Sequence, residues 1–321
     1  MRLVKLGALL VCLLVTAFAQ AQSFPAKPVR IVVAFPAGGG LDFTTRVITQ
    51  KLGEIWGHTV VVENRPGASG MIGAESVVRA PKDGYTLLSS SPAEVALNAA
   101  LYPKMTYDPM RDLAPISLTA LYANVLAVHA SVPARSWKEL VALSKATPGG
   151  IGFGSSGIGS TQHLTGEWLK RNAGINLLHI PYKGAAPATA DLIGGQIPMG
   201  ILGAAPLMQH LKAGRLRALA VTTAKRAGAL PEVPTLPEVG VKGFESSQWF
   251  GLLAPAGTPR EVIAKINADL QRVLGMSDVK ERLAAQGGET YGSTPEAFAA
   301  FLKKEHDTYA KIIAAAGIKI D

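Results

Sequence analysis

The sequence predicts an α/β protein of two lobes, each with a mainly parallel sheet flanked by helices, joined by two hinge crossings. Three observations carry this. Short β-rich runs alternate with helical patterns along nearly the whole chain, as in βαβ units. A middle section repeats that alternation by itself, and β-like stretches near 116–128 and 247–253 lead into it and out of it. Setting aside an N-terminal leader leaves about 300 residues, enough for two cores at roughly 100 to 200 residues per domain. The expected division is a leader over 1–21, a first lobe over 22–121, a second over 122–247, and a return to the first over 248–321.

The leader is "MRLVKLGALLVCLLVTAFAQAQS". Arg2 and Lys5 precede an apolar run from Leu6 to Phe18, and Ala19, Gln20 and Ala21 follow as small-x-small, which predicts an exported chain cut after Ala21. The run is shorter than the about 20 residues a membrane span needs, so the mature protein is expected to be soluble. Cys12, the single cysteine, falls in the middle of this run after Val11, where no lipid anchor is expected. The mature chain therefore has no thiol for a disulfide, a metal or nucleophilic chemistry. Formal charge is +9 and falls by two to +7 without Arg2 and Lys5. The basic residues are scattered with few aromatics between them, which argues against nucleic acid as a partner.

In chain order, "VRIVVAF" at 29–35 is an apolar run suited to a buried parallel strand. Phe43, Val47, Ile48, Leu52 and Ile55 then recur at helical spacing up to Gly57. "TVVVEN" at 59–64 is a strand, followed by a helix near 71–79 and the strand "GYTLLS" at 84–89. "SPAEVALN" reads as a capping box on Ser91 and Glu94, with Pro92 at the first helical position. The middle section gives "NVLAVHA", a helix over 137–145, "IGFGS", a helix over 161–172, "NLLHIPY", a helix near 187–192 and "LRALAVTT". Beyond it, Thr258, Pro259 and Glu261 open a helix running to about 274, and "TPEAF" at 294–298 opens the last one, which Gly317 stops.

Glycine-rich turns after strands carry the chemistry. In "FPAGGGLDFTTR" a strand ends, Gly38, Gly39 and Gly40 free the backbone, and a helix begins near Asp42. Amides at such a turn, with the positive end of a helix dipole, suit a carboxylate or phosphate. Alternatively the glycines only turn the chain and Asp42 only caps the helix. "IGFGSSGIGSTQHL" contains G-x-G-x-x-G, yet no acid stands about 20 residues on, as a dinucleotide site requires, and no cofactor is expected. It is better read as a donor-rich turn in which Ser155, Ser156 and Thr161 offer hydroxyls, Ser160 caps a helix, and His163 lies in the first turn. A third turn, "PYKGAAPAT", presents Lys183 and Gly184. All three would lie at the carboxyl ends of strands, where open α/β sheets bind ligands. No G-x-S-x-G elbow, H-E-x-x-H pair or Walker sequence occurs, so neither a catalytic residue nor a metal site is expected.

The stretches "FPAGGGLDFTTR", "VVENRPGASGMIGAESVVRAPKDGYTLL", "GFGSSGIGSTQHLTGEWL", "HIPYKGAAPATADLIGGQI", "LKAGRLRALAVTT", "VPTLPEVG" and "WFGLLAPAGTP" together resemble the Bug family, the periplasmic solute-binding proteins of tripartite tricarboxylate transporters. The likeness covers nearly the whole mature chain. It implies a type II-like periplasmic binding fold that closes like a flytrap on a small organic carboxylate, working as a monomer with membrane transporter subunits as partners. By position it assigns ligand binding to Phe35, Pro36, Gly39, Gly40 and Asp42, to Ser89 with Ser90, and to Ser155, Thr161, Lys183 and Gly184 in the facing lobe. The adjoining Ser156 and His163 complete that wall. Leu41 departs from the family's usual hydroxyl or proline. "MGILGAAP" around Gly203 has no aspartate for a ligand ammonium, so a di- or tricarboxylate or an aromatic acid lacking an α-amino group is expected. An exported hydrolase or isomerase, or a sensor docking on a receptor, is the alternative.

Overall fold

The computed structural model describes residues 24–318 apart from Pro103 and Phe244, so the expected leader lies outside the described residues. Strands β1 (Val29–Val33), β2 (Val60–Asn64) and β3 (Thr86–Ser90) run parallel in the order β2-β1-β3. In the other half, β5 (Ile151–Ser155) pairs in parallel with β6 (Leu177–Pro181) and β7 (Met199–Gly203). The two halves are joined by β4 (Leu113–His129) and β9 (Ser247–Pro255). Residues 113–123 of β4 lie antiparallel to β9, while residues 124–129 lie antiparallel to β7 and β8 (Leu216–Val221). A short β10 (Gly288–Thr290) pairs with β4 beside the crossing. The sheets are thus parallel at their outer strands and antiparallel where the crossing strands enter, because a strand leaving a lobe and the one returning lie side by side in opposite directions.

Alternation along the strands builds a core on each sheet face. In β1, Val29, Ile31 and Val33 enter one cluster and Val32 the other. In β4, Leu126 and Val128 face one side and Val125 and Ala127 the other. The helix Pro295–Ala316 buries Phe298, Leu302, Tyr309, Ile312 and Ile313 on the first half, and Glu305 accepts a 2.8 Å bond from the Trp249 indole on β9.

Helix ends follow the sequence in part. Ser136, Ser160 and Thr294 cap their helices by accepting from the N–H three residues on, and Gly57 and Gly317 close theirs in the left-handed region. Thr258 does not cap: its hydroxyl donates to the Pro255 carbonyl, and the helix starts at Arg260. After Ser91 the chain makes a π turn over Ala93–Leu97 in place of the expected α-helix start.

Candidate functional site

The three glycine turns converge on a cavity of about 330 Å³ between the two halves. The first turn follows β1. Gly38 sits at φ +86, a conformation that favours glycine, and Gly39 is extended and precedes the helix Gly40–Trp56. Asp42, 4% exposed, braces this turn. Its carboxylate accepts from the Gly38 N–H at 2.9 Å, from Asn64 Nδ2 at 2.9 Å and from Arg46 Nε at 3.0 Å. Asn64, at the end of β2, also donates to the Phe35 carbonyl at 3.0 Å, so strand and turn are tied together. Burial by itself would raise the Asp42 pKa, but Arg46, the Gly38 amide and Asn64 outweigh it and hold the carboxyl below its ordinary value.

With Asp42 engaged in this way, no side chain caps the N–H groups of Gly40 and Leu41 at the cavity. From the other half, the helices Thr161–Asn172 and Ala185–Ile193 bring their N-termini to the same space. Of the N–H groups in its helix's first turn, the Ser160 hydroxyl accepts from that of His163 alone, and Gly184 provides no side-chain cap. Three helix dipoles of roughly half a charge each therefore point positive ends at one cavity. Among the described residues no Lys, Arg or His lines it.

The crossing strands form the floor. Tyr122, from β4, shares a 2.7 Å hydrogen bond with Thr44 and lies 5.3 Å from the Phe250 ring of β9. Gln248 of β9 accepts from Gln162 Nε2 at 3.3 Å and from the Thr161 hydroxyl at 3.4 Å. Asn124 of β4 accepts from the same Gln162 Nε2 at 3.1 Å. The second-half helix N-terminus is thereby pinned to the strands that join the halves.

Of the residues expected from sequence, Phe35, Pro36, Gly39, Gly40, Leu41, Asp42, Ser156, Thr161, Gly184 and Gly203 line the cavity, and five do not. Ser89 is buried against Thr45, 2.7 Å from its hydroxyl, and Ser90 donates to the Gly251 carbonyl, so both hydroxyls hold β3 in place. Ser155 bonds His179 Nε2 at 2.7 Å and the turn at Gly157. His163 faces the interior, where it stacks on His179 at 3.9 Å and its Nδ1 accepts from the Gly159 N–H. Lys183 is exposed outside the lining. Residues absent from the expectation include Ser69, Ser91, Asn98, Tyr122, Gln162, Gln248 and Phe250. A glutamine two residues before a phenylalanine in "SQWFGLLAP" was a signal for two of them, since both then lie on one face of a crossing strand.

The pattern of the tripartite tricarboxylate transporter family receptor matches residues 44–318. The chain belongs to this family. Solved structures agree. R. palustris Rpa4515 with adipate is similar to this receptor at a TM-score of 0.85 and 36% identity, covering 92% of this chain and 99% of that one. The periplasmic binding protein BugD gives 0.81 and 36% over 92% and 99%. MatC (Rpa3494) from Rhodopseudomonas palustris with bound malate gives 0.79 and 29% over 90% and 100%. The receptor has the two-lobe, type II-like fold of periplasmic binding proteins.

Two titrating features stand behind the receptor's cavity walls. Burial lowers the pKa values of His163 and His179 to about 4, helped by nearby Lys170 and, for His179, by His163 itself. Both rings are neutral near pH 7, so neither supplies charge to a ligand. On the opposite wall Glu94 is fully buried, and its two carboxylate oxygens accept from the Ser91 N–H at 2.6 Å and the Ser91 hydroxyl at 2.7 Å. Burial raises its pKa to about 7 against the pull of those bonds. A raised carboxyl pKa gives stability that is full below the unfolded value of 4.5 and is lost as pH rises through about 7. Glu94→Gln removes that loss. Chemical denaturation should show its unfolding free energy gaining on wild type by up to about 3 kcal/mol between pH 4.5 and pH 8. A pH-independent difference would contradict the assignment.

Proposed function

We propose that the protein captures a small organic carboxylate in this cleft and hands it to the membrane subunits of a tripartite tricarboxylate-type transporter. The observation that carries this is the convergence of helix N-termini from both halves on one cavity without a cationic side chain. Fixed amides and dipoles solvate an anion there without reorganising. Contacts to both lobes favour the closed state, and that population shift is what a transporter can recognise. The relatives solved with adipate and malate support the ligand class. The hinge falls where β4 and β9 pass between lobes, near 121–124 and 246–248, and the protein works in the periplasm as a monomer, exported by its leader.

The ligand is released unchanged: among the described residues no histidine lines the cavity, and the one lining carboxylate, Asp42, is committed to the turn. For the same reason the ligand carries no α-amino group. Gly203, Ala205 and Pro206 stand on the wall where an ammonium would need an acid, and a buried ammonium without a partner is costly. Titration calorimetry should show aliphatic or aromatic acids binding at least tenfold tighter than aspartate or glutamate. Micromolar binding of either amino acid without such acids, or turnover of a bound acid, would refute the reading.

A further inference from the structure

The polar groups of the cavity are not equally free. The glycine turns of Gly39–Leu41, Gly159–Thr161 and Gly184–Ala185 present helix N-termini. In the wall formed by Ser69, Ser91, Pro92, Ala93, Leu97 and Asn98 the side-chain polar groups are engaged with neighbours of the wall itself. Both the N–H and the hydroxyl of Ser91 donate to Glu94, Asn98 Nδ2 donates to the Ser69 carbonyl, and the Ser69 hydroxyl pairs with Tyr102. Pro92 has no N–H to offer. Behind Ser91 stands the buried carboxyl of Glu94, the wrong charge for an anion.

Apolar surface fills the remainder. Leu41 and Phe250 line the cavity, and Ile158, unusually for an isoleucine, is 52% exposed at its edge between Gly157 and Gly159. An apolar ligand body would cover this side chain on closure.

Resting on the carboxylate reading above, we infer that the ligand has a single carboxylate and a neutral, apolar far end, and that Glu94 acts through Ser91 as the positioning residue that excludes a second carboxylate. A dicarboxylate of similar length would put its second charge against a wall whose Ser91 hydroxyl and N–H are held by Glu94, with that buried acid behind it. Its dehydration would then be poorly compensated.

The test compares acids that differ only in that second group. The folded chain without its leader is titrated calorimetrically at pH 8 with hexanoate against adipate and with benzoate against terephthalate. At least one monocarboxylate should bind tenfold or more tighter than its partner, and Glu94→Gln should shrink that gap at least threefold while retaining a cooperative thermal transition. A gap below tenfold in both pairs in wild type overturns this inference but leaves the carboxylate reading standing. Absence of binding by every acid removes both. An unchanged gap in a folded Glu94→Gln protein overturns the role given to Glu94.

Discussion

Asp42→Ala should lower affinity for a bound acid at least tenfold and destabilise the free protein by about 2 kcal/mol. Removing the carboxylate leaves the Gly38 N–H without its acceptor, leaves Asn64 Nδ2 with the Phe35 carbonyl alone, and frees Arg46, whose half-exposed side chain contributes little to stability. The turn that presents Gly39, Gly40 and Leu41 then loses its brace, and the amides no longer stand in one arrangement. Asp42→Asn, which keeps an oxygen acceptor, should fall between the two. Because the Asp42 pKa is depressed, its contribution is present above the unfolded value of 3.8 and lost as pH falls through the lower folded value. Calorimetry and denaturant melts check both parts, and unaltered affinity in a folded Asp42→Ala protein would contradict them.

Gly157→Ala should disable the facing wall. Gly157 sits at φ +133, which side-chain-bearing residues rarely adopt, and an added Cβ would lie 2.9 Å from the Tyr182 carbonyl oxygen. That oxygen belongs to backbone and cannot swing away. The Gly157 carbonyl also accepts from the Ser160 hydroxyl at 2.7 Å and its N–H donates to Ser155 at 3.1 Å, so a shift carries Ser156, Ile158 and Thr161 with it. Strain of this kind costs about 1–3 kcal/mol. A tenfold or greater loss of affinity is expected, with a lowered but cooperative thermal transition. Gly149→Ala offers the comparison: it also has positive φ, +78, but no neighbour within 4 Å, and should leave binding unchanged.

Local pattern made much of this architecture readable. The apolar run of β1 and the cap at Ser160 rest on neighbouring residues, and they appear in the structure where the sequence places them. β7 did not show because "MGILG" carries two glycines, which weaken a strand signal, and, unlike "IGFGS", has no aromatic residue to offset them. A Cβ at Gly200 would lie 3.0 Å from Leu192 Cδ2, so glycine there leaves room for the Leu192 side chain to pack closely on the central strand. The turns at strand ends were legible as donors, yet which hydroxyls face the cavity was not. Ser89 and Ser155 differ from Ser156 only in what lies across from them, Thr45 and His179, residues distant in sequence. Likewise Tyr122 and Gln248 reach the cavity only because β4 and β9 cross between the halves.

The most direct test is a crystal structure of the protein with an acid that binds in calorimetry. One carboxylate should lie within hydrogen-bonding distance of main-chain N–H groups from Gly39–Leu41 and from Thr161 or Ala185 together. A carboxylate held by one half alone, or by a lysine or arginine side chain, would contradict the account.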